Sequence, residues 1–89
     1  MAKAEISWRR VTEDGVKLQV YAQHVGRDWK FFRREKRFDP WQQIPEPPLE
    51  DWLELLDAMQ RLVVRRRYQP DDEEDVRQKI RDRFPDADI

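Results

Sequence analysis

Four prolines within nine residues divide this chain into two parts that cannot share one helix or one strand. Prolines 40, 45, 47 and 48 each fix their own φ angle and have no amide hydrogen to donate. The residues before them alternate between apolar and polar, whereas the residues after them repeat with a helical period. The sequence therefore predicts strands first, helices second, and an irregular connector over residues 39–47.

The clearest predicted strand covers residues 16–23, where every second residue is apolar. Gly15 precedes it, at the position where a three-residue hairpin loop favours the left-handed conformation of glycine. Residues 5–12 should therefore pair with residues 16–23 so that the numbers of opposite residues sum to 28. This register puts Trp8 opposite Val20 and places the apolar residues of both strands on one face.

A third strand is predicted over residues 29–38, after a turn at residues 24–28 centred on Gly26. Symmetric pairing about this turn gives opposite residues whose numbers sum to 53. Tyr21 then lies opposite Phe32 on the outward face of the sheet. The third strand is less clearly one-sided than the second, because both of its faces carry aromatic residues.

Two amphipathic helices are predicted after the prolines, over residues 48–66 and 72–84. Asp71 is the expected N-cap of the second helix, with Glu74 as its capping-box partner. We predict one small α+β domain over residues 1–89: a three-stranded antiparallel meander followed by two helices packed on one sheet face, or β-β-β-α-α. The predicted main core consists of Trp8, Val20, Phe31, Trp52, Leu53, Leu56, Ile80 and Phe84, and Trp41 and Ile44 should anchor the connector across it.

The residue types that common catalytic and metal sites require are scarce. There is no cysteine, which excludes disulfides, thiolate zinc sites and cysteine nucleophiles. Two glycines are too few for a Walker loop or a dinucleotide fingerprint. Ser7 is predicted to lie opposite Tyr21 rather than near the one histidine, His24, which we interpret as a turn residue. We therefore expect no enzymatic activity, no cofactor and no metal site.

Charged residues are numerous but balanced, with 18 basic against 19 acidic residues and a net charge of −1. The acidic run at residues 71–75 and the arginines at 65–67 suit a helix start and a helix end, because such charges complement the helix dipole. Asp57 and Arg61 have the spacing of an i,i+4 ion pair. We favour these roles over a calcium site or a phosphate clamp. The first residues hold no apolar run and nothing approaches a membrane span, so we expect a soluble cytoplasmic protein with no membrane contact.

The outward face of the predicted sheet is the one candidate binding surface. Its aromatic and basic residues are Arg9, Lys17, Tyr21, Lys30, Phe32, Arg34 and Lys36. An uncharacterised interaction module is the favoured interpretation, with a protein partner or a second copy binding this face. The acidic residues Glu50, Asp51 and Glu54 of another copy are one such surface. The alternative is single-stranded RNA, whose bases would stack on the rings and whose phosphates would pair with the cations. A purely structural explanation also exists, since cross-strand aromatic pairs stabilise sheets and exposed cations prevent aggregation.

Overall fold

The computed structural model describes residues 6–89, and the chain divides into two compact units between Pro47 and Pro48. The first unit holds an antiparallel sheet and the second holds two helices, in the predicted α+β order. The strands are β1 (Ile6–Val11), β2 (Lys17–Val25), β3 (Asp28–Arg34) and β4 (Gln42–Ile44), arranged in that order across the sheet. The helices are α1 (Leu49–Val64) and α2 (Pro70–Arg83).

The first hairpin has the predicted register, with Trp8 opposite Val20 and every pair of opposite residues summing to 28. Its loop is closed by a hydrogen bond from the Thr12 amide to the Val16 carbonyl, at 2.8 Å. Gly15 has a φ of +84°, in the left-handed region that the loop requires. The alternation of apolar residues and one glycine were thus sufficient to place this hairpin.

The second hairpin also has the predicted register, with numbers that sum to 53, but its turn is shorter than predicted. The strands continue to Val25 and restart at Asp28, which leaves a loop of two residues instead of the five at 24–28. Gly26 is the first loop residue and has a φ of +61°, as a type II′ turn requires. His24 therefore belongs to β2, and our interpretation of it as a turn residue was wrong.

β3 ends at Arg34, four residues before the predicted end at Phe38. The chain turns at residues 36–39, where the Asp39 amide donates to the Lys36 carbonyl at 2.9 Å. The Asp39 carboxylate in turn accepts a hydrogen bond from the Lys36 amide at 3.1 Å. This hydrogen bond stabilises the turn, so the chain turns here instead of continuing β3.

The predicted connector contains a fourth strand that we did not expect. β4 spans three residues and pairs with β3, with Phe32 opposite Gln43. Pro40 and Pro45 flank it without interrupting the pairing, because a strand at the edge of a sheet tolerates proline at its ends. A run of three residues is too short to show a hydropathy period, so the pattern gave no signal for β4.

One face of the sheet carries the buried residues of the first unit. Val20 and Phe31, both predicted core residues, are 0% and 1% exposed. Trp8 is only half-buried, and its ring meets the Phe31 ring edge-on at a centroid distance of 6.0 Å. The buried apolar residues of this face are Ile6, Leu18, Val20, Ala22, Trp29 and Phe31.

The helical unit buries the predicted residues Trp52, Leu56 and Ile80. Leu53 is 38% exposed, so its assignment to the core was wrong. Each helical residue is rotated by about 100° from the one before it, which carries Leu53 beyond the buried stripe. Phe84 follows the end of α2 and is half-buried. Neither helix in the described part of the chain is long and apolar enough to cross a membrane.

α2 begins two residues earlier than predicted, and the predicted capping box of Asp71 and Glu74 was wrong. Gln69 is the N-cap, and its amide donates to the Asp72 carboxylate at 2.8 Å. Pro70 follows at the first helical position, where its fixed φ suits the helix and its missing amide hydrogen has no consequence. The proline therefore sets the start of α2.

α1 ends in a Schellman motif that holds a non-glycine residue in a left-handed conformation. The Arg67 amide donates to the Leu62 carbonyl and the Arg66 amide to the Val63 carbonyl, each at 2.9 Å. Arg66 has a φ of +62°, a region that is unfavourable for any residue with a Cβ atom.

We therefore expect Arg66→Gly to stabilise the protein by about 1 kcal/mol, because glycine adopts this φ without strain. Urea denaturation followed by circular dichroism measures the difference. Arg65→Gly is the matched control, since Arg65 has an ordinary φ of −84° and glycine there should give no gain. A lower midpoint for Arg66→Gly would contradict the strain argument.

Candidate binding surface

The face of the sheet opposite the buried one is formed by residues that the strand registers place side by side. In one row, Arg9 lies opposite Gln19, and Gln19 lies opposite Arg34. Trp41 directly precedes β4, and extending the register of β3 and β4 by one pair places it beside Arg34. We call this surface the outer sheet face: Ser7, Arg9, Val11, Lys17, Gln19, Tyr21, Gln23, Val25, Asp28, Lys30, Phe32, Arg34, Trp41 and Gln43.

Three aromatic rings form a cluster on the outer sheet face. Tyr21 and Phe32 stack at a centroid distance of 4.8 Å and an interplanar angle of 15°. Trp41 meets Tyr21 edge to face, at 4.7 Å and 80°. The expectation that Trp41 anchors the connector in the core was wrong, because its side chain is 37% exposed and packs on this face. Recognising β4 would have revealed this position, since residues alternate between the two faces of a strand.

Arg34 is held in place by two contacts on this face. Its guanidinium carbon lies 4.2 Å from the centroid of the Trp41 ring, which is a cation–π arrangement. Its Nε donates a hydrogen bond of 2.8 Å to Oε1 of Gln19. Sequence reasoning included Arg34 among the cations of the surface but missed Gln19 and Trp41, which orient it.

The other cations of the outer sheet face are exposed. Within residues 6–89, Arg9, Lys17 and Lys30 take part in no ion pair. In contrast, the helical unit pairs many of its charges, and the predicted Asp57–Arg61 pair is confirmed. That pair lies in α1, and the ion pairs of α2 join Arg77 to Glu73 and Glu74, Lys79 to Asp75, and Arg81 to Glu74. The positive charges of Arg9, Lys17 and Lys30 are thus open to an external anion.

Lys36 is the one predicted surface residue that the registers do not bring onto this face, because it lies in the turn after β3. Two residues further along the chain, Phe38 is 92% exposed. The remaining six predicted residues share the outer sheet face.

An open groove of about 420 Å³ lies along one row of the outer sheet face. Its lining comprises Ser7, Trp8, Arg9, Gln19, Val20, Arg34 and Trp41, of which five belong to that face. No acidic residue is among these seven described residues. The groove therefore suits an anionic group.

Other side chains considered in the sequence have structural contacts. His24 stacks on Trp29 at a centroid distance of 4.4 Å, and Ser7 lies opposite Tyr21 as predicted. Burial raises the pKa of the Tyr68 hydroxyl, and the nearby Asp72 carboxylate raises it further, so this hydroxyl stays neutral at ordinary pH. In the described part of the chain, no three histidine, aspartate or glutamate residues are grouped to hold a metal ion.

The acidic patch that we expected on α1 is smaller than predicted. Asp51 is 0% exposed, so it cannot contact another molecule, whereas Glu50 and Glu54 are exposed. In an α-helix, neighbouring residues point in different directions, and a run of charges in sequence does not form one continuous surface. A surface made of all three residues was therefore a wrong prediction.

Comparison of the chain with known protein families, curated proteins and solved structures gives no match. A function is therefore inferred from the side chains of the outer sheet face and the groove alone.

Proposed function

We propose that this chain is a small non-catalytic binding module whose outer sheet face holds an acidic segment of a partner protein. The observation that carries the proposal is a set of cations, Arg9, Lys17 and Lys30, that surround an aromatic cluster and form no ion pair within residues 6–89. These positive charges are complementary to the acidic side chains of a partner.

The residue types on this face suit protein recognition. Trp, Tyr and Arg are enriched among the residues that dominate binding energy at interfaces, because they combine apolar area with polar groups. The face offers Trp41, Tyr21 and Arg34 next to each other. Its surrounding cations would speed association with an acidic partner and reject a basic one.

Single-stranded RNA fits the ring geometry less well. Bases bind to aromatic side chains by stacking on open ring faces. Here Tyr21 and Phe32 stack on each other, and Arg34 covers one face of Trp41. These internal contacts leave less ring surface for bases, which favours a protein partner over RNA.

A second copy of the chain is a further acidic partner to consider. Residues 1–44 hold ten basic and six acidic residues, whereas residues 45–89 hold eight basic and thirteen acidic residues. However, the burial of Asp51 removes one acidic group from the expected contact surface. A second copy is therefore a less favoured partner than another acidic protein, and light scattering tests for it.

The test measures fluorescence anisotropy with a labelled peptide of alternating glutamate and leucine, at about 20 mM and about 150 mM salt. We expect binding in the micromolar range that weakens several-fold at the higher salt, because exposed charges are screened. Lys17→Glu and Lys30→Glu should each weaken binding further. Arg27→Glu is the matched control: it makes the same charge change in the exposed loop between β2 and β3 and should have a smaller effect.

Two parallel measurements decide between the alternatives. An oligouridylate of matched length that binds more tightly than the peptide would overturn the proposal in favour of RNA. Light scattering that shows a dimer, together with loss of peptide binding on dimer formation, would overturn it in favour of self-association. Absence of peptide binding at low salt would also overturn it.

A further inference from the structure

Arg34 differs from the other cations of the outer sheet face because it is fixed before any ligand arrives. Its guanidinium carbon lies 4.2 Å from the centroid of the Trp41 ring, and its Nε donates a hydrogen bond of 2.8 Å to Oε1 of Gln19. A free arginine side chain loses rotational freedom when it binds a ligand, whereas a side chain that is already held loses less. Arg34 is therefore preorganised for binding.

The contacts of Arg34 also determine which of its donors remain open. A guanidinium group binds a carboxylate with two parallel hydrogen bonds, either from Nε and one Nη or from both Nη atoms. The Nε is occupied by Gln19. Among residues 6–89, the two Nη atoms donate no hydrogen bond. The edge formed by the two Nη atoms is thus the open one.

Arg9 supplies a second positive charge to the same groove. It lies opposite Gln19, which itself lies opposite Arg34, so the three side chains form one row across the sheet. Both arginines line the groove of about 420 Å³, which is larger than a single carboxylate requires. The space can therefore hold a whole acidic side chain together with part of its backbone.

We infer that this groove is an oxyanion-binding site, in which the Nη edge of Arg34 binds one side-chain carboxylate of the acidic partner and Arg9 adds a second positive charge. The inference rests on the proposed function and names the group that the partner contributes. A phosphoryl group on a peptide has the same oxyanion chemistry, and the experiment distinguishes the two sources. Gln19 and Trp41 act here as positioning residues for Arg34.

Arg34→Lys tests the site because it retains the charge but loses the paired donors. We expect it to weaken binding of the glutamate–leucine peptide about tenfold, whereas Arg9→Lys should weaken it about twofold, because Arg9 acts mainly through its charge. Circular dichroism is the control that checks whether both variants are folded. The same peptide with one glutamate replaced by phosphoserine measures the preference for a phosphoryl group, and tighter binding of that peptide would overturn the assignment to a carboxylate.

A second measurement keeps this test separate from the test of the proposed function. In ¹⁵N NMR, titration of the wild-type protein with acetate should shift the Arg34 guanidinium resonances in a saturable manner. Equal peptide binding by wild type and Arg34→Lys would overturn the site but leave the binding module intact. If no peptide binds, the proposed function fails, and a saturable acetate shift would still support the site. The absence of that shift would overturn it.

Discussion

Trp52→Ala is expected to lower the free energy of unfolding by about 3 to 5 kcal/mol, the usual range for truncating a large buried aromatic side chain. Trp52 is 2% exposed and lies on the buried face of α1. The Arg83 guanidinium also lies 4.9 Å from its ring centroid, so the substitution removes a cation–π contact. Small proteins have a total stability of about 5 to 15 kcal/mol, and this loss takes a large part of it.

Urea denaturation followed by circular dichroism measures this effect, and the residue next in sequence supplies the control. Leu53 is 38% exposed, so Leu53→Ala should lower the free energy of unfolding by less than about 1 kcal/mol. The two positions are adjacent in one helix but point in different directions, and Trp52 also has the larger side chain and the contact with Arg83. Equal midpoints for the two variants would mean that the assigned buried face of α1 is wrong.

The parts of the fold that sequence reasoning predicted correctly depend on local chemistry. Strand residues alternate between two faces, and a glycine with positive φ fixes where each hairpin turns. Together, Gly15 and Gly26 determined both registers, and with them the positions of Tyr21 and Phe32 on the outer sheet face. A shift of one residue would have moved every side chain to the opposite face, so this agreement is specific.

The parts that could not be predicted depend on contacts between residues distant in sequence. β4 has three residues and no hydropathy period, and it exists because it pairs with β3. Leu53 is apolar and fits a helical period, but its burial depends on which side of α1 is covered. Local propensity is a weak predictor where tertiary contacts decide the outcome.

The candidate site shows the same division. The alternation of strand residues between the two faces predicted which cations share the outer sheet face. The arrangement of Arg34, however, requires Trp41, which reaches that face only because β4 pairs with β3. In the sequence, Arg34 is one of several cations, and nothing distinguishes it from the others. The contacts with Trp41 and Gln19 make it a preorganised donor.

Phe31→Ala should also lower the free energy of unfolding by about 3 to 5 kcal/mol, because Phe31 is 1% exposed on the buried face of the sheet. It would also remove the edge-on contact with Trp8. Urea denaturation followed by tryptophan fluorescence is the appropriate measurement, since Trp8 and Trp29 are in the same unit. An unchanged midpoint would contradict the assignment of the two sheet faces.

Phe32→Ala is the matched control, because Phe32 is the next residue and points to the opposite face of the same strand. It is half-buried and stacks on Tyr21, so its truncation should lower the free energy of unfolding by about 2 kcal/mol.

The folded Phe32→Ala variant should nevertheless bind the glutamate–leucine peptide more weakly than wild type, since it loses part of the aromatic cluster. Phe31 would then affect binding only through folding, whereas Phe32 would affect it directly. Peptide affinity unchanged in Phe32→Ala would exclude the aromatic cluster from the binding surface and leave the cations alone responsible.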